Sequence, residues 1–193
     1  GAGTKMMEAG LHTSFGDEWI RLGSMTYGVD GGVFGQTAGL FEPYTNDPYG
    51  KYRGSFRVTQ EVSDAFCATA QHNGWQISSV CHGDQGVTMA VDSIEKAQHA
   101  FPNRRLRHRL EHAYLWNSAL PNRIGDLGII WNTQASVIAG LGRWGTLEAW
   151  GDRCRYALPI KTALQHGIIV SGGSDWPVSG IDPMIGIHFM VTR

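Results

Sequence analysis

The sequence has few charged residues and almost no charge imbalance. Asp, Glu, Lys and Arg make up 17% of its 193 residues, whereas about 25% is usual for a globular domain. Sixteen basic residues against seventeen acidic ones give a formal net charge of −1. Because proteins that bind nucleic acids or anionic membranes carry an excess or a cluster of positive charge, we expect neither as a partner.

Cysteine is equally scarce, and long apolar runs are missing. Cys67, Cys81 and Cys154 are an odd number and lie far apart, which favours neither a disulfide framework nor a Cys-x-x-Cys zinc site. A reducing cytoplasm is therefore the expected location. The longest apolar runs, such as residues 167–170, are far shorter than the roughly 18 residues that indicate a membrane span.

The residues that are abundant describe a packed α/β protein. Hydrophobic residues make up 42% of the chain, and its 26 glycines occur between periodic segments, with neither the dinucleotide-binding fingerprint nor P-loop spacing. Apolar periodicity and turn residues predict strands and helices in alternation. The predicted strands are residues 19–29, 75–81, 107–113, 129–134 and 168–171. The predicted helices are residues 59–72, 87–100, 121–127 and 155–166, and Gly74, Gly128 and Gly167 are predicted to end three of them.

Alternation of this kind indicates parallel strands joined by crossovers, in an open doubly wound sheet or an α/β barrel. In both architectures ligands bind at the carboxyl ends of the strands. A polar residue stands at or just after each of the five predicted strands, which is the strongest pattern in the sequence. These residues are Asp30, His82 with Asp84, His112, Gln134 and Asp175.

The segment His108-Arg-Leu-Glu-His112 has two interpretations. On a helix the two histidines lie four residues apart and can share a zinc ion, but the Glu is not where a His-Glu-x-x-His site needs it. On a strand, His108 and His112 share one face with Leu110, and Glu111 lies on the other face beside arginines. We favour the strand, with His112 either a metal ligand or a hydrogen-bonded structural histidine and Glu111 the partner of an arginine.

Two further strand ends also allow more than one interpretation. Asp175 follows an apolar strand, where a carboxylate can bind a metal and accept a proton from water; alternatively, it forms an Asx-type turn before a proline. Ser174 lacks the Gly-x-Ser-x-Gly context of a nucleophile. Cys81 and His82 point to opposite faces of a strand, which argues against a thiol–imidazole pair, and Asp84 is expected to cap the next helix.

Four segments resemble the amidohydrolase superfamily, and within it amidohydrolase family 3, the YtcJ-like metal-dependent hydrolases. The most specific are residues 109–113 (Arg-Leu-Glu-His-Ala), similar to the family's Arg-Ile-Glu-His-Ala strand, and residues 173–178 (Gly-Ser-Asp-Trp-Pro-Val), nearly identical to its eighth-strand signature. Residues 75–97 resemble its fifth strand and helix. Residues 29–38 resemble, more loosely, its Asp-Gly segment.

The resemblance implies a (β/α)8 TIM-type barrel, of which residues 1–193 would form strands four to eight with their helices. It also implies hydrolysis of amide-type C–N bonds with a divalent metal, zinc or a similar ion, held at the strand ends. His112 would be a metal ligand, and Asp175 both a ligand and the general base that activates water. The segment that runs into Gly83-Asp84 resembles the family's fifth strand, which supplies a histidine ligand, and His82 is the candidate for that ligand here.

The sequence departs from the family pattern at three places. The first-strand His-x-His metal pair is absent from it. Thr26 stands where the family has a lysine that, when carboxylated, bridges two metals, so a lysine-bridged pair is not expected. Val80 stands where the family has its strand-five histidine, and His82 follows two residues later on the same face of a strand.

We therefore expect a metal-dependent hydrolase of amide-type, non-peptide C–N bonds with a small-molecule substrate. His82, His112 and Asp175 are the candidate metal ligands, and Asp175 is the candidate catalytic base. The competing hypothesis is a catalytically silent barrel fragment that binds a ligand or partner without metal chemistry, and a third is an independent open sheet. Since a TIM barrel needs about 250 residues, we expect residues 1–193 to be part of a longer chain, inactive alone.

Overall fold

Five parallel strands form one sheet in the order in which they occur in the chain. The computed structural model describes residues 2–142 and 148–192. Each strand pairs in parallel with its sequence neighbours, so four crossovers connect the five strands. Their bounds are β1 Met25–Gly28, β2 Ile77–Cys81, β3 Arg109–His112, β4 Ile130–Thr133 and β5 Val170–Gly172. The predicted alternation is confirmed, and only β5 extends beyond its predicted range.

Helices occupy most of the connections between strands. The α-helices are α1 Ala2–Glu8, α2 Gln60–His72, α3 Asp84–Ala100, α4 Leu120–Asp126, α5 Ala135–Gly142, α6 Ile160–Gln165 and α7 Pro183–Thr192, and 3-10 helices span Arg104–Leu106 and Glu148–Tyr156. Thr59 caps α2 by accepting the backbone N–H of Val62. Gly74 follows that helix with a φ of +74°, a left-handed conformation that glycine adopts without strain, as predicted.

The sheet separates a buried apolar face from a polar one. Leu110 of β3 and Trp131 of β4 are fully buried, and α2 and α3 contact each other and the neighbouring strand β2. On the other face Glu111 accepts hydrogen bonds from Ser78 at 2.6 Å and from Asn132 at 2.5 Å. The alternation of strand side chains therefore places the core on one side and leaves a polar, partly exposed surface on the other.

Three predictions about the helices need correction. The helix predicted over residues 155–166 begins at Ile160, because the 3-10 segment Glu148–Tyr156 occupies its first part and Pro159 stands at its N-cap. Gly83, not Asp84, caps α3; Asp84 is its first residue, and its Oδ1 accepts the backbone N–H of Phe41 and Gln85. Helices α1, α5 and α7 were not predicted. Within the described ranges, every helix is too short or too polar to cross a membrane.

His108 lies in the core just before β3. Its Nδ1 accepts the backbone N–H of Ile77 at 3.0 Å, and its Nε2 faces the side-chain oxygen of Gln71. Burial lowers the pKa of His108 from 6.5 to about 4, because a charged ring loses its hydration there. The strand interpretation of the segment 108–112 is confirmed, and His108 is a hydrogen-bonded structural histidine.

The His108 ring makes stability sensitive to acid. Its folded-state pKa lies below its unfolded value, so unfolding takes up a proton, and stability is lost as the pH falls from about 6.5 towards 4. Protonation at Nδ1 would set two donors, the ring and Ile77 N–H, against each other. Between pH 7 and pH 4 the unfolding free energy of His108→Gln should therefore fall by roughly 2–4 kcal/mol less than that of the wild type. Chemical denaturation across this pH range checks it.

The exposed His99 of α3 provides a matched control. His99→Gln should leave the pH dependence of the unfolding free energy as in the wild type. If the unfolding free energies of the wild type and of His108→Gln fell equally as the pH is lowered, the assignment of His108 as a buried, neutral histidine would be contradicted.

Candidate functional site

Two histidines meet at the carboxyl ends of neighbouring strands. Cys81 pairs with His112 in the register of β2 and β3, which brings His82, the next residue along, beside His112. The two imidazole rings stack with their centroids 4.6 Å apart and an angle of 17° between their planes. The structure therefore brings together two of the three predicted metal ligands, at the edge of the sheet where parallel α/β folds bind ligands.

Asp30 contacts both the backbone and the ring of His82. It lies two residues after β1 and is fully buried. Its Oδ1 accepts the backbone N–H of His82 at 3.0 Å and lies 3.2 Å from Nδ1 of the same residue. Its Oδ2 accepts the backbone N–H groups of Gly39 at 2.8 Å and Gly83 at 3.0 Å. One carboxylate therefore ties the loop after β1 to the end of β2 and fixes the imidazole ring.

His112 is held by a second, uncharged network. Its φ of +67° is left-handed, so strand alternation no longer fixes the direction of the ring. The Tyr114 hydroxyl lies 3.1 Å from Nδ1 of His112 and donates to the side-chain oxygen of Gln134 at 3.2 Å. Because that hydroxyl proton is committed to Gln134, the hydrogen-bond pattern assigns a proton to Nδ1 of His112.

Burial keeps two members of this network, His112 and Tyr114, neutral. The pKa of His112 is lowered, first by burial and then by the neighbouring His82, while Asp175 acts in the opposite direction. Burial also raises the pKa of the Tyr114 hydroxyl, and Asp175 adds to that increase. A neutral imidazole has the lone pair that metal binding or proton transfer requires.

Asp175 stands in the exposed turn after β5. Its backbone has a φ of +53°, and its carbonyl oxygen accepts the N–H of Val178 at 2.7 Å. In the turn the N–H of Trp176 bonds to the Ser174 hydroxyl, whereas the Asp175 carboxylate makes no hydrogen bond within residues 2–142 and 148–192. The Asx-type turn is therefore not formed, and the carboxylate is available to a ligand.

The donor chemistry of these residues fits a divalent ion, although the set is incomplete. Two imidazoles and an available carboxylate are typical zinc ligands. Metal-bound histidines usually donate their second ring N–H to a carboxylate or another oxygen, and Nδ1 of both His82 and His112 lies beside such an oxygen. Among the described residues, however, no three His, Cys, Asp or Glu side chains lie close enough together to hold a metal ion. Asp175 as the third ligand stays a prediction.

Other polar residues at this end of the sheet have structural partners. Glu111 forms an ion pair with Arg109, whose Nε lies 2.9 Å from Oε1, which confirms the predicted arginine partner. The Cys81 thiol is buried, and burial raises its pKa well above its usual value, so it is not a nucleophile. The two positions that depart from the family pattern lie within the sheet: Thr26 is a residue of β1, and Val80 pairs with Glu111 in the β2–β3 register.

A family model described as the amidohydrolase family matches residues 4–193 of the chain. Two curated relatives are similar over 91% of the chain. YtcJ of Bacillus subtilis (strain 168), a protein provisionally described as an amidohydrolase, is 30% identical over 176 residues. The protein LONG AFTER FAR-RED 3 of Arabidopsis thaliana is 27% identical over 177 residues. The chain spans 32% and 30% of their respective lengths.

Solved structures agree with this match. An uncharacterised metal-dependent hydrolase from Pyrococcus furiosus superposes with a TM-score of 0.83 at 26% identity, over 98% of this chain and 38% of its own. A second, from Pyrococcus horikoshii OT3, gives a TM-score of 0.80 at 23% identity, over 96% of this chain and 36% of its own, and shows the fold alone. The five-stranded parallel sheet is thus consistent with part of a (β/α) barrel.

The group of N–H donors around the Asp30 carboxylate, which we call the Asp30 cradle, depends on Gly86. A Cβ atom on Gly86 of α3 would lie 2.3 Å from Oδ2 of Asp30, and this oxygen is held by two backbone N–H groups. We expect Gly86→Ala to displace the carboxylate and to lower the free energy of unfolding by about 1–3 kcal/mol, as overpacking does. Chemical denaturation measures the loss.

Gly140 of α5 is the control, since a Cβ there meets nothing within 4 Å. Gly140→Ala should leave stability unchanged or raise it by up to about 1 kcal/mol, because alanine favours a helix. If both variants were as stable as the wild type, Gly86 would not be required for the cradle.

Proposed function

The chain belongs to the amidohydrolase family, and from this premise we propose that the intact protein hydrolyses amide-type, non-peptide C–N bonds of a small-molecule substrate with a bound divalent metal. Family membership and the metal-dependent hydrolase neighbour support a hydrolase. The observation that carries the proposal is the stacked pair of His82 and His112 at the strand ends, each with its Nδ1 directed to an oxygen.

His82 and His112 would hold the ion through Nε2, and Asp175 would complete the ligand set. A divalent ion such as zinc supplies Lewis acidity and an activated water at neutral pH. A carboxylate oxygen of Asp175 takes the proton of the attacking water and returns it to the leaving nitrogen. Burial of His112 keeps its ring neutral, so the lone pair remains available at the pH of the reaction.

The proposal has four further features, which rest on the family pattern, the loop composition and the scarcity of cysteine. A single ion is favoured over a lysine-bridged pair, because Thr26 provides no lysine for carboxylation. The loop of residues 31–54 shapes the substrate pocket; within it Tyr44 and Tyr52 stack 5.4 Å apart. We place the reaction in the cytoplasm and regard residues 1–193 as part of a longer hydrolase barrel, inactive without the rest.

One observation favours a second candidate function. The sequence lacks the family's His-x-His pair and has Thr26 and Val80 where the family has a lysine and a histidine, which fits a catalytically silent barrel that binds a ligand or partner without metal chemistry. Metal analysis of the intact protein distinguishes the two functions. A stoichiometric divalent ion after purification or titration supports the hydrolase, whereas none supports the silent barrel.

The proposed activity is tested on the intact protein that carries this sequence. N-acyl and N-formyl amines are assayed with and without a chelator. Because Asp175 is proposed to move the proton, Asp175→Asn should lower kcat/KM by about 100-fold or more, and chelation should do the same until zinc is restored.

Asp126→Asn, at an exposed residue at the end of α4, serves as the control and should retain full activity. Hydrolysis that is indifferent both to chelation and to Asp175→Asn would refute the proposed mechanism.

A further inference from the structure

We propose that Asp30 is a positioning residue, which fixes the tautomer and orientation of His82 and thereby presents Nε2 of His82 to the site. The inference rests on the proposed function only for the identity of what Nε2 binds. The sequence placed Asp30 after the first predicted strand and within the Asp-Gly segment, but it gave no indication of a contact with His82.

The first argument is the number and origin of the contacts. Asp30 is fully buried, and its carboxylate receives three backbone N–H groups and one ring nitrogen. Two of the four contacts come from His82, one from its backbone and one from its ring. Because both meet Oδ1, the main chain and the side chain of His82 are fixed relative to the same atom.

The second argument is the chemistry of the acceptor. A carboxylate that receives several N–H groups is an acceptor, so the ring nitrogen facing it must carry the proton. That places the proton of a neutral His82 on Nδ1 and the lone pair on Nε2. The ring of His112 lies against that of His82, with the two centroids 4.6 Å apart, so it restricts rotation of the His82 ring.

The third argument separates positioning from simple support. The backbone N–H groups of Gly39 and Gly83 already use Oδ2, and these contacts are sufficient to join the loop to the strand end. The contact with Nδ1 adds nothing to that connection. What it does is fix the tautomer and orientation of the His82 ring, which is the usual role of a carboxylate that contacts a metal-binding histidine.

The direct test is the tautomer of His82 in the metal-free intact protein. With histidine labelled by 15N, NMR distinguishes a protonated Nδ1 from a protonated Nε2, and His82→Gln identifies the signal. We expect Nδ1–H in the wild type and a mixture of both tautomers in Asp30→Ala. Asp30→Asn keeps an acceptor oxygen and should restore the Nδ1–H form at least in part.

Zinc affinity, measured by competition with a chelating dye, provides the second readout. Loss of such a carboxylate usually weakens metal binding 10- to 100-fold, so we expect this loss in Asp30→Ala and a smaller one in Asp30→Asn. Asp64→Ala is the control. Asp64 also accepts several hydrogen bonds, from Gln60, Ser93 and Lys96, but it has no contact with His82, so the variant should change neither readout.

The outcomes separate this inference from the proposed function. If the protein binds no zinc but His82 shows an Nδ1–H form that depends on Asp30, positioning by Asp30 stands and the metal-dependent function fails. If zinc binds equally well to the wild type and Asp30→Ala with the same tautomer in both, positioning is overturned and the function stands. If Asp30→Ala does not fold, the wild type decides, because an Nε2–H form there overturns the inference.

Discussion

The buried carboxylate of Asp30 is the interaction on which the arrangement at the strand ends depends. Parallel pairing brings the strand ends together, but it does not determine how the side chains beyond them are directed. Asp30 does this by accepting N–H groups from Gly39 in the first loop and from His82 and Gly83 after β2. Burying a carboxylate is costly unless donors surround it, so this geometry is tightly constrained.

Much of the fold could be predicted because its determinants are local. The capped helix α2 and the left-handed Gly74 follow from residue types within a few positions of each other. Five strands in alternation with helices imply a parallel sheet, and a parallel sheet implies that residues after its strands converge. This reasoning alone placed His82 and His112 at one edge, and the structure adds that their rings stack.

What could not be predicted depends on contacts between distant residues. Asp30 and His82 are 52 positions apart, so the sequence showed only that both follow strands. The left-handed backbone of His112 breaks the alternation from which its direction was inferred, and its partner Tyr114 was not identified. Tyr114 lies two residues after β3, and its hydroxyl donates to Gln134, which lies just after β4. Only the register of β3 and β4 brings these two residues together.

The central claim is that His82 and His112 together form the metal-binding end of a hydrolase site. The spacing of the two rings and the lowered pKa of His112 support it, and the family match supplies the chemical context. The most direct measurement is a crystal structure of the zinc-loaded intact protein with anomalous scattering recorded at the zinc edge. We predict an anomalous peak at about 2.0–2.1 Å from Nε2 of both histidines. A peak bonded to neither ring, in a crystal shown to contain zinc, would contradict the claim.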